Sequence, residues 1–344
     1  MKPANSSRRH YDQTRLLVLS GLNSLTHSRV GDIESFLAPG DLLLVNRSAT
    51  LPASFHGNIE RTGERVEVRL AAFRGPSPDK LHRWFAFSFQ EGSWREPTED
   101  RVRAPELEPG DFISIGPGFG IKVLSVNSGR LLTIEITSSS LLRDLYRYGS
   151  PIQYSYLNEN LEVWDQQTIF SGPPLSVEPP SSAFPLTWER VFRLQEKGVK
   201  IASLVHGAGI SSTGDFTLDN LLPLEEWYEI PEATVAAIEE NKRRGYRIIA
   251  LGTTVIRAVE SAGLQGKLIP GARTTNLKIG PDHDFHYIDT LITGMHEPGT
   301  SHVDILNSFC SVSHIAAGYK QASKEEYRAH EYGDISLLDC RHCQ

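Results

Sequence analysis

Two short apolar runs of strand length open the chain, Arg15-Leu-Leu-Val-Leu19 and Leu42-Leu-Leu-Val45, the second introduced by the turn Pro39-Gly40-Asp41. Between them Ile33, Phe36 and Leu37 recur at helical spacing and predict one short helix. A different rhythm follows. Arg65–Leu70, Trp84–Phe89, Phe112–Ile115, Ile121–Val126 and Leu131–Ile136 alternate apolar and polar positions, with turns such as Thr62-Gly63, Pro109-Gly110-Asp111 and Asn127–Gly129 between them. Many short alternating strands with frequent turns predict a small antiparallel barrel or sandwich. Beyond residue 160 the period changes again. Thr187 is placed to cap a helix with Trp188, Val191 and Phe192 inward, ending at Gly198. Val199–Val205, Arg247–Leu251 and Tyr287–Ile292 read as strands; Pro231–Gly245, Thr254–Ala262 and Val303–Ala317 read as helices, the last with Ile305, Leu306, Phe309 and Val312 inward. Alternating strands and helices imply an α/β fold with a largely parallel sheet or barrel. The nesting predicts an α/β domain from residues 1–55 and 155–344, interrupted by a β-barrel domain over residues 56–154.

Composition narrows the class. The 344 residues are 39% hydrophobic and 22% charged, an ordinary globular balance that argues against disorder. No apolar run is long enough to span a bilayer, no leader pattern opens the chain, and three cysteines do not suggest an oxidising compartment. A cytoplasmic protein without a membrane partner is the expectation, as a monomer. A net charge of −7 argues mildly against a broad nucleic-acid surface, although a local basic face would suffice; Arg8, Arg9, Arg15, Arg47 and Lys242–Arg244 are the candidates.

Five places could hold chemistry. In Ala250-Leu-Gly-Thr-Thr-Val-Ile-Arg257 a strand ends in Gly252, Thr253 and Thr254 before a helix, where open N–H groups favour an anion; a simple helix cap is the plainer reading. Val205-His-Gly-Ala-Gly-Ile210 puts His206 in a glycine-rich turn that lacks the dinucleotide spacing. Thr293-Gly-Met-His-Glu-Pro-Gly-Thr300 carries His296, and Asp289 in the preceding strand needs a partner, for which Arg257 is one candidate. Tyr332-Gly-Asp334 either binds a ligand or closes a turn. Cys340-Arg-His-Cys343 falls one ligand short of a structural zinc site and reads as a frayed tail with free thiols, so no metal is expected.

Blocks along nearly the whole chain resemble the S-adenosylmethionine:tRNA ribosyltransferase-isomerase family of queuosine biosynthesis. They are Thr14–Leu19, Pro39–Asn46 with Pro52-Ala53, Arg247–Ser261, Thr293–Pro298 and Tyr332–Asp334. The resemblance implies an α/β-barrel-like domain with an inserted β-barrel. It also implies an activity that moves the ribosyl unit of S-adenosylmethionine onto a 7-aminomethyl-7-deazaguanine base in tRNA, giving epoxyqueuosine and releasing adenine and methionine. S-adenosylmethionine is then the ribosyl-donor substrate, tRNA the partner, and no metal is required. Such chemistry needs a base, an acid and an anchor for the methionine carboxylate. On this reading His296, His206 and Glu226 are the catalytic candidates. Gly252, Thr253, Thr254, Arg257, Asp289, Tyr332, Asp334 and Asn46 are the candidates for binding substrate. Departures are local. Arg47-Ser48-Ala49 stands for the family's Asp-Thr-Arg, Pro185 and Leu224 stand where the family has histidines, and His206–Ser212 is a rewritten segment. They leave open a diverged enzyme with a non-tRNA acceptor, or a non-catalytic binding protein on the same fold.

Overall fold

The computed structural model describes all residues except 8–10, 98–99, 214, 297–300 and 341–344. Its framework is a nine-stranded sheet in the order Gly271–Thr275, Glu226–Ile230, Lys200–His206, Leu42–Asn46, Ile248–Leu251, Thr290–Gly294, Ile335–Asp339, Arg15–Ser20, Ser24–Arg29. The central strands from Lys200–His206 to Thr290–Gly294 run parallel, while both outermost pairings are antiparallel. Leu42 and Leu44 face a core that includes Val255, Val259, Ile305 and Phe309. Leu43 and Val45 face a second core with Val30, Ile33, Leu186 and Leu194. Layers on both faces explain why the strand is a continuous apolar run with no polar alternation.

The alternating segment closes into a barrel of six antiparallel strands: Phe119–Ser128, Leu131–Ser138, Arg83–Gln90, Arg65–Phe73, Ser54–Ile59 and Phe112–Gly116. The expected α/β architecture with an inserted antiparallel barrel is therefore present. Arg65–Phe73 is buried at nearly every position, on both its faces, because its outer side packs against Glu226–Ile230 and Pro174–Ser176 of the larger part. That contact forces two charged side chains inside. Glu67 and Arg69 lie buried as an ion pair at 2.6 Å, joined by Arg101. Burial would raise the Glu67 carboxyl, but the two arginines hold it at about 2.

Three sequence expectations change. In the helix Trp188–Glu196 the inward residues are Arg190, Val191 and Leu194, while Trp188 and Phe192 stack on each other at the surface, 6.0 Å apart. A buried arginine displaces the aromatics because Pro185 O and Asp12 neutralise and bind its guanidinium. The expected helix Val303–Ala317 is two helices, Ser301–Phe309 and Val312–Lys324. The Ser311 hydroxyl accepts from His314 N–H and caps the second helix, which turns Val312 out to solvent. Finally, Cys340 is not a frayed free thiol. It is buried beside the end of the Ile335–Asp339 strand and disulfide-bonded to Cys310, with a Cα–Cα distance of 5.1 Å. Cys343 lies outside the described residues. No helix among the described residues is long and apolar enough to cross a membrane.

Candidate active site

The four parallel strands of the sheet end side by side, with Leu204 paired to Asn46, and Leu251 paired to both Val45 and Ile292. Ligands of open α/β sheets bind beyond such carboxyl ends. Just past these ends lie Asn46, His206, Gly252–Thr254 and the stretch from Thr293 to His296.

Asn46 ties the loops together. Its amide nitrogen donates to His206 O at 2.9 Å and to Thr254 Oγ1 at 3.3 Å, and its amide oxygen accepts from the N–H groups of His206 and Ser48, each at 3.0 Å. His206 is fully buried. Its Nδ1 lies 2.7 Å from Thr254 O and its Nε2 lies 2.8 Å from Glu226 Oε2. Both ring nitrogens face oxygen atoms of the protein. Glu226 also receives the Arg257 guanidinium and the Gly209 N–H at 2.6 Å. Burial would push the Glu226 carboxyl up; the Arg257 charge and the His206 hydrogen bond override it and hold the group at about 2. Arg257 Nε donates to Leu277 O at 3.0 Å, while its buried Nη2 has no hydrogen-bond partner among the described residues.

Gly252 sits between the Ile248–Leu251 strand and the helix Thr253–Gly263, with φ of +97°, a conformation suited to glycine. A Cβ there would come within 2.9 Å of Ser182 Oγ. The turn Ser181–Ala183 therefore lies directly over the helix N-terminus, and it also packs on the Thr290–Gly294 strand. The next residue, Phe184, stacks on Tyr332 with centroids 5.3 Å apart, and the Tyr332 hydroxyl donates to Asp165 O at 3.3 Å. His296 Nε2 lies 3.0 Å from Thr293 Oγ1 and its N–H donates to the Tyr319 hydroxyl at 3.2 Å. Glu297–Thr300 of that motif lie outside the described residues.

Two expected binders serve the backbone instead, Asp289 far from these ends and Asp334 close to them, its carbonyl accepting from Met295 N–H at 3.0 Å. Asp289 stands beside Ile248, at the opposite end of the parallel strands, roughly four residues and about 13 Å from the carboxyl ends. It accepts from Ile248 N–H at 2.8 Å, and Arg257 pairs with Glu226 instead. Asp334 is buried and its two oxygens accept from Arg15 and Arg328 N–H groups, each at 2.8 Å, so it fastens backbone. Arg247 does similar work at the amino ends, bridging Asp41 and Asp339.

A second polar group adjoins this one and was not singled out from sequence. Glu178 accepts from the Tyr154 hydroxyl and, at 3.1 Å, from Ser211 N–H, two residues beyond the Gly209 that binds Glu226. Tyr156 donates to Glu331 and stacks between Tyr154 and His330. Tyr154, Tyr156, Glu178 and Glu331 line one pocket with Ile152 and Tyr332. Burial raises the Glu178 carboxyl to about 7, against the hydrogen bond from Tyr154. The only sequence signal was two tyrosines spaced for one face of an extended segment, which does not point to a carboxylate some twenty residues on.

Comparison with known proteins places this geometry in context. The profile of a family described as "Queuosine biosynthesis protein" matches residues 2–338. The S-adenosylmethionine:tRNA ribosyltransferase-isomerase of a Sulfurihydrogenibium species is 30% identical over 95% of this chain and 93% of its own. That of Thermus thermophilus is also 30% identical, over 95% of this chain and 93% of its own. The crystal structure of S-adenosylmethionine tRNA ribosyltransferase from Thermotoga maritima superposes with a TM-score of 0.51 at 22% identity, covering 97% of this chain and 95% of that one, a likeness of fold.

Proposed function

The chain belongs to the queuosine biosynthesis protein family, and we propose that it is an S-adenosylmethionine:tRNA ribosyltransferase-isomerase. In this reading it transfers and isomerises the ribosyl unit of S-adenosylmethionine onto the 7-aminomethyl-7-deazaguanine base of tRNA, in the cytoplasm and as a monomer. The sulfonium acidifies the adjacent ribose 5′ carbon, from which a base removes a proton; ring opening expels adenine, and the aminomethyl nitrogen attacks the resulting electrophile as methionine leaves.

The observation that supports it best is Arg257 Nη2, a buried donor with no partner among the described residues, beside His206 and Glu226 at the carboxyl ends of four parallel strands. A buried charged donor without an acceptor is costly unless a ligand completes it. Arg257 Nη2 together with the N-terminal N–H groups of the Thr253–Gly263 helix suits the methionine carboxylate or a ribose hydroxyl. Glu226 is already engaged by three donors, so it positions Arg257 and His206 and is a poor proton acceptor. Proton transfer falls to His296, with Glu178 as a second group whose raised value suits acid–base exchange near neutral pH.

The test is to incubate the protein with S-adenosylmethionine, with and without tRNA carrying the aminomethyl base, and to follow adenine and methionine. Release of both that depends on that tRNA is the expected result. Binding of S-adenosylmethionine without tRNA-dependent turnover overturns the acceptor assignment, and no binding overturns the reading as a whole.

A further inference from the structure

Glu178 and Glu331 face one pocket, which they line with Tyr154, Tyr156, Tyr332 and Gln166. The donors that hold the two carboxylates are neutral. The Tyr154 hydroxyl and the Ser211 N–H reach Glu178 Oε1, and the Tyr156 hydroxyl reaches Glu331 Oε2. Among the described residues no cationic side chain pairs with either, and the Glu331 charge adds to the rise that burial imposes on the Glu178 carboxyl.

Gln166 carries the independent observation. It is 4% exposed. Its Nε2 donates at 3.0 Å to Ile152 O, an atom that can only accept, and this fixes which end of the amide is nitrogen. The other end, Oε1, is buried and has no hydrogen-bond partner among the described residues. Buried acceptors without donors are rare, and one lining a pocket calls for an occupant that donates. The open space between these side chains is about 10 Å³, room for one water-sized group.

We propose that this pocket binds a primary ammonium group, held by Glu178, Glu331 and Gln166 Oε1. An ammonium is water-sized, carries three N–H donors for three acceptors, and brings the positive charge that the carboxylates lack. A hard divalent cation asks for about six to eight oxygen ligands, and the tyrosine hydroxyls here are turned to donate. The pocket adjoins the Arg257 cluster: Ser211 binds Glu178 and Gly209 binds Glu226 through N–H groups two residues apart, and Tyr332 stacks on Phe184. On the proposed reaction, on which this step rests, the ammonium belongs to one of the two substrates. It is either the α-amine of S-adenosylmethionine or the aminomethyl group of the acceptor base.

The first test uses the full chain and methylammonium chloride as probe, with thermal unfolding as readout. Methylammonium is expected to raise the unfolding temperature with concentration. Sodium, calcium and tetramethylammonium chlorides at equal ionic strength are expected not to, the last because it has no N–H donor. The rise is expected to vanish in Glu331→Gln and in Glu178→Gln, which keep the side-chain shape. No specific rise in the wild type, an equal rise with tetramethylammonium or calcium, or a rise that survives both variants overturns the proposal. The second test assigns the ammonium by calorimetry. S-adenosylmethionine is compared with its analogue lacking the α-amine, and tRNA carrying the aminomethyl base with tRNA whose base carries a methyl group. Deleting the amine of the true occupant is expected to weaken binding by about ten- to a hundredfold in the wild type and by less than about threefold in Glu331→Gln. If neither amine is coupled to Glu331, the pocket is not a substrate site and the assignment falls, even where turnover is normal. A methylammonium effect without tRNA-dependent turnover overturns the proposed reaction alone and leaves the ammonium site standing.

Discussion

Glu226 and Arg257 form a buried ion pair, and the same carboxylate oxygen that takes the arginine also faces His206 Nε2 at 2.8 Å. The pair is what lets a guanidinium sit inside the fold at the ends of the parallel strands. It also leaves one guanidinium nitrogen free of protein acceptors among the described residues.

Glu226→Gln keeps the shape and removes the charge, leaving the Arg257 guanidinium uncompensated. Breaking one partner of a buried pair costs about 3–5 kcal/mol, to be read from urea unfolding. The carboxyl sits at about 2 in the folded protein against an ordinary 4.5. Its stabilisation is therefore full above 4.5 and is lost as the pH falls toward 2. The acid side of the stability profile is expected to flatten in the variant.

Arg257→Lys preserves a positive charge for Glu226 but loses the forked geometry and the free Nη2. S-adenosylmethionine binding is expected to weaken by about ten- to a hundredfold in calorimetry, the range of a charge-assisted hydrogen bond. An unchanged affinity would take Arg257 out of the binding site.

Glu178 has the opposite sign. Its folded value of about 7 lies above the ordinary 4.5, so its contribution is full below 4.5 and declines as the pH rises through 7. Thermal unfolding of the wild type is expected to show this decline across about pH 5 to 8, and Glu178→Gln is expected to abolish it. If Glu178 also exchanges protons in turnover, the variant loses a limb of the pH–rate profile.

His296→Ala is expected to lower turnover by about 10²- to 10⁴-fold with S-adenosylmethionine binding intact, the scale of general acid–base catalysis. Adenine release at saturating substrate is the measurement. Full turnover in this variant removes His296 from the chemistry and leaves Glu178 as the proton-transfer group.

Local pattern was enough for much of this molecule. The unbroken apolar run at Leu42–Val45 requires both faces to be covered, and the alternation from Arg65 to Ile136 requires one face inward, so a layered α/β part and an antiparallel barrel follow from periodicity. The strand–Gly–Thr–Thr–helix junction at Ala250–Arg257 was legible because its backbone geometry is local. Pairings across the fold were not. Arg257 meets Glu226, 31 residues away in sequence, and not Asp289, because strand register sends Asp289 to the far end of the sheet. Tyr154, Glu178 and Glu331 meet only where the barrel, the Pro174–Ser176 strand and the C-terminal segment converge. The C-terminal cysteines read as free thiols in sequence, and only a helix break at Ser311 and the end of the last strand set Cys310 beside Cys340 in a disulfide, with His314 Nδ1 3.7 Å from Cys340 Sγ. Periodicity reports which face of an element is buried; strand order and register, which it does not encode, decide what that face meets.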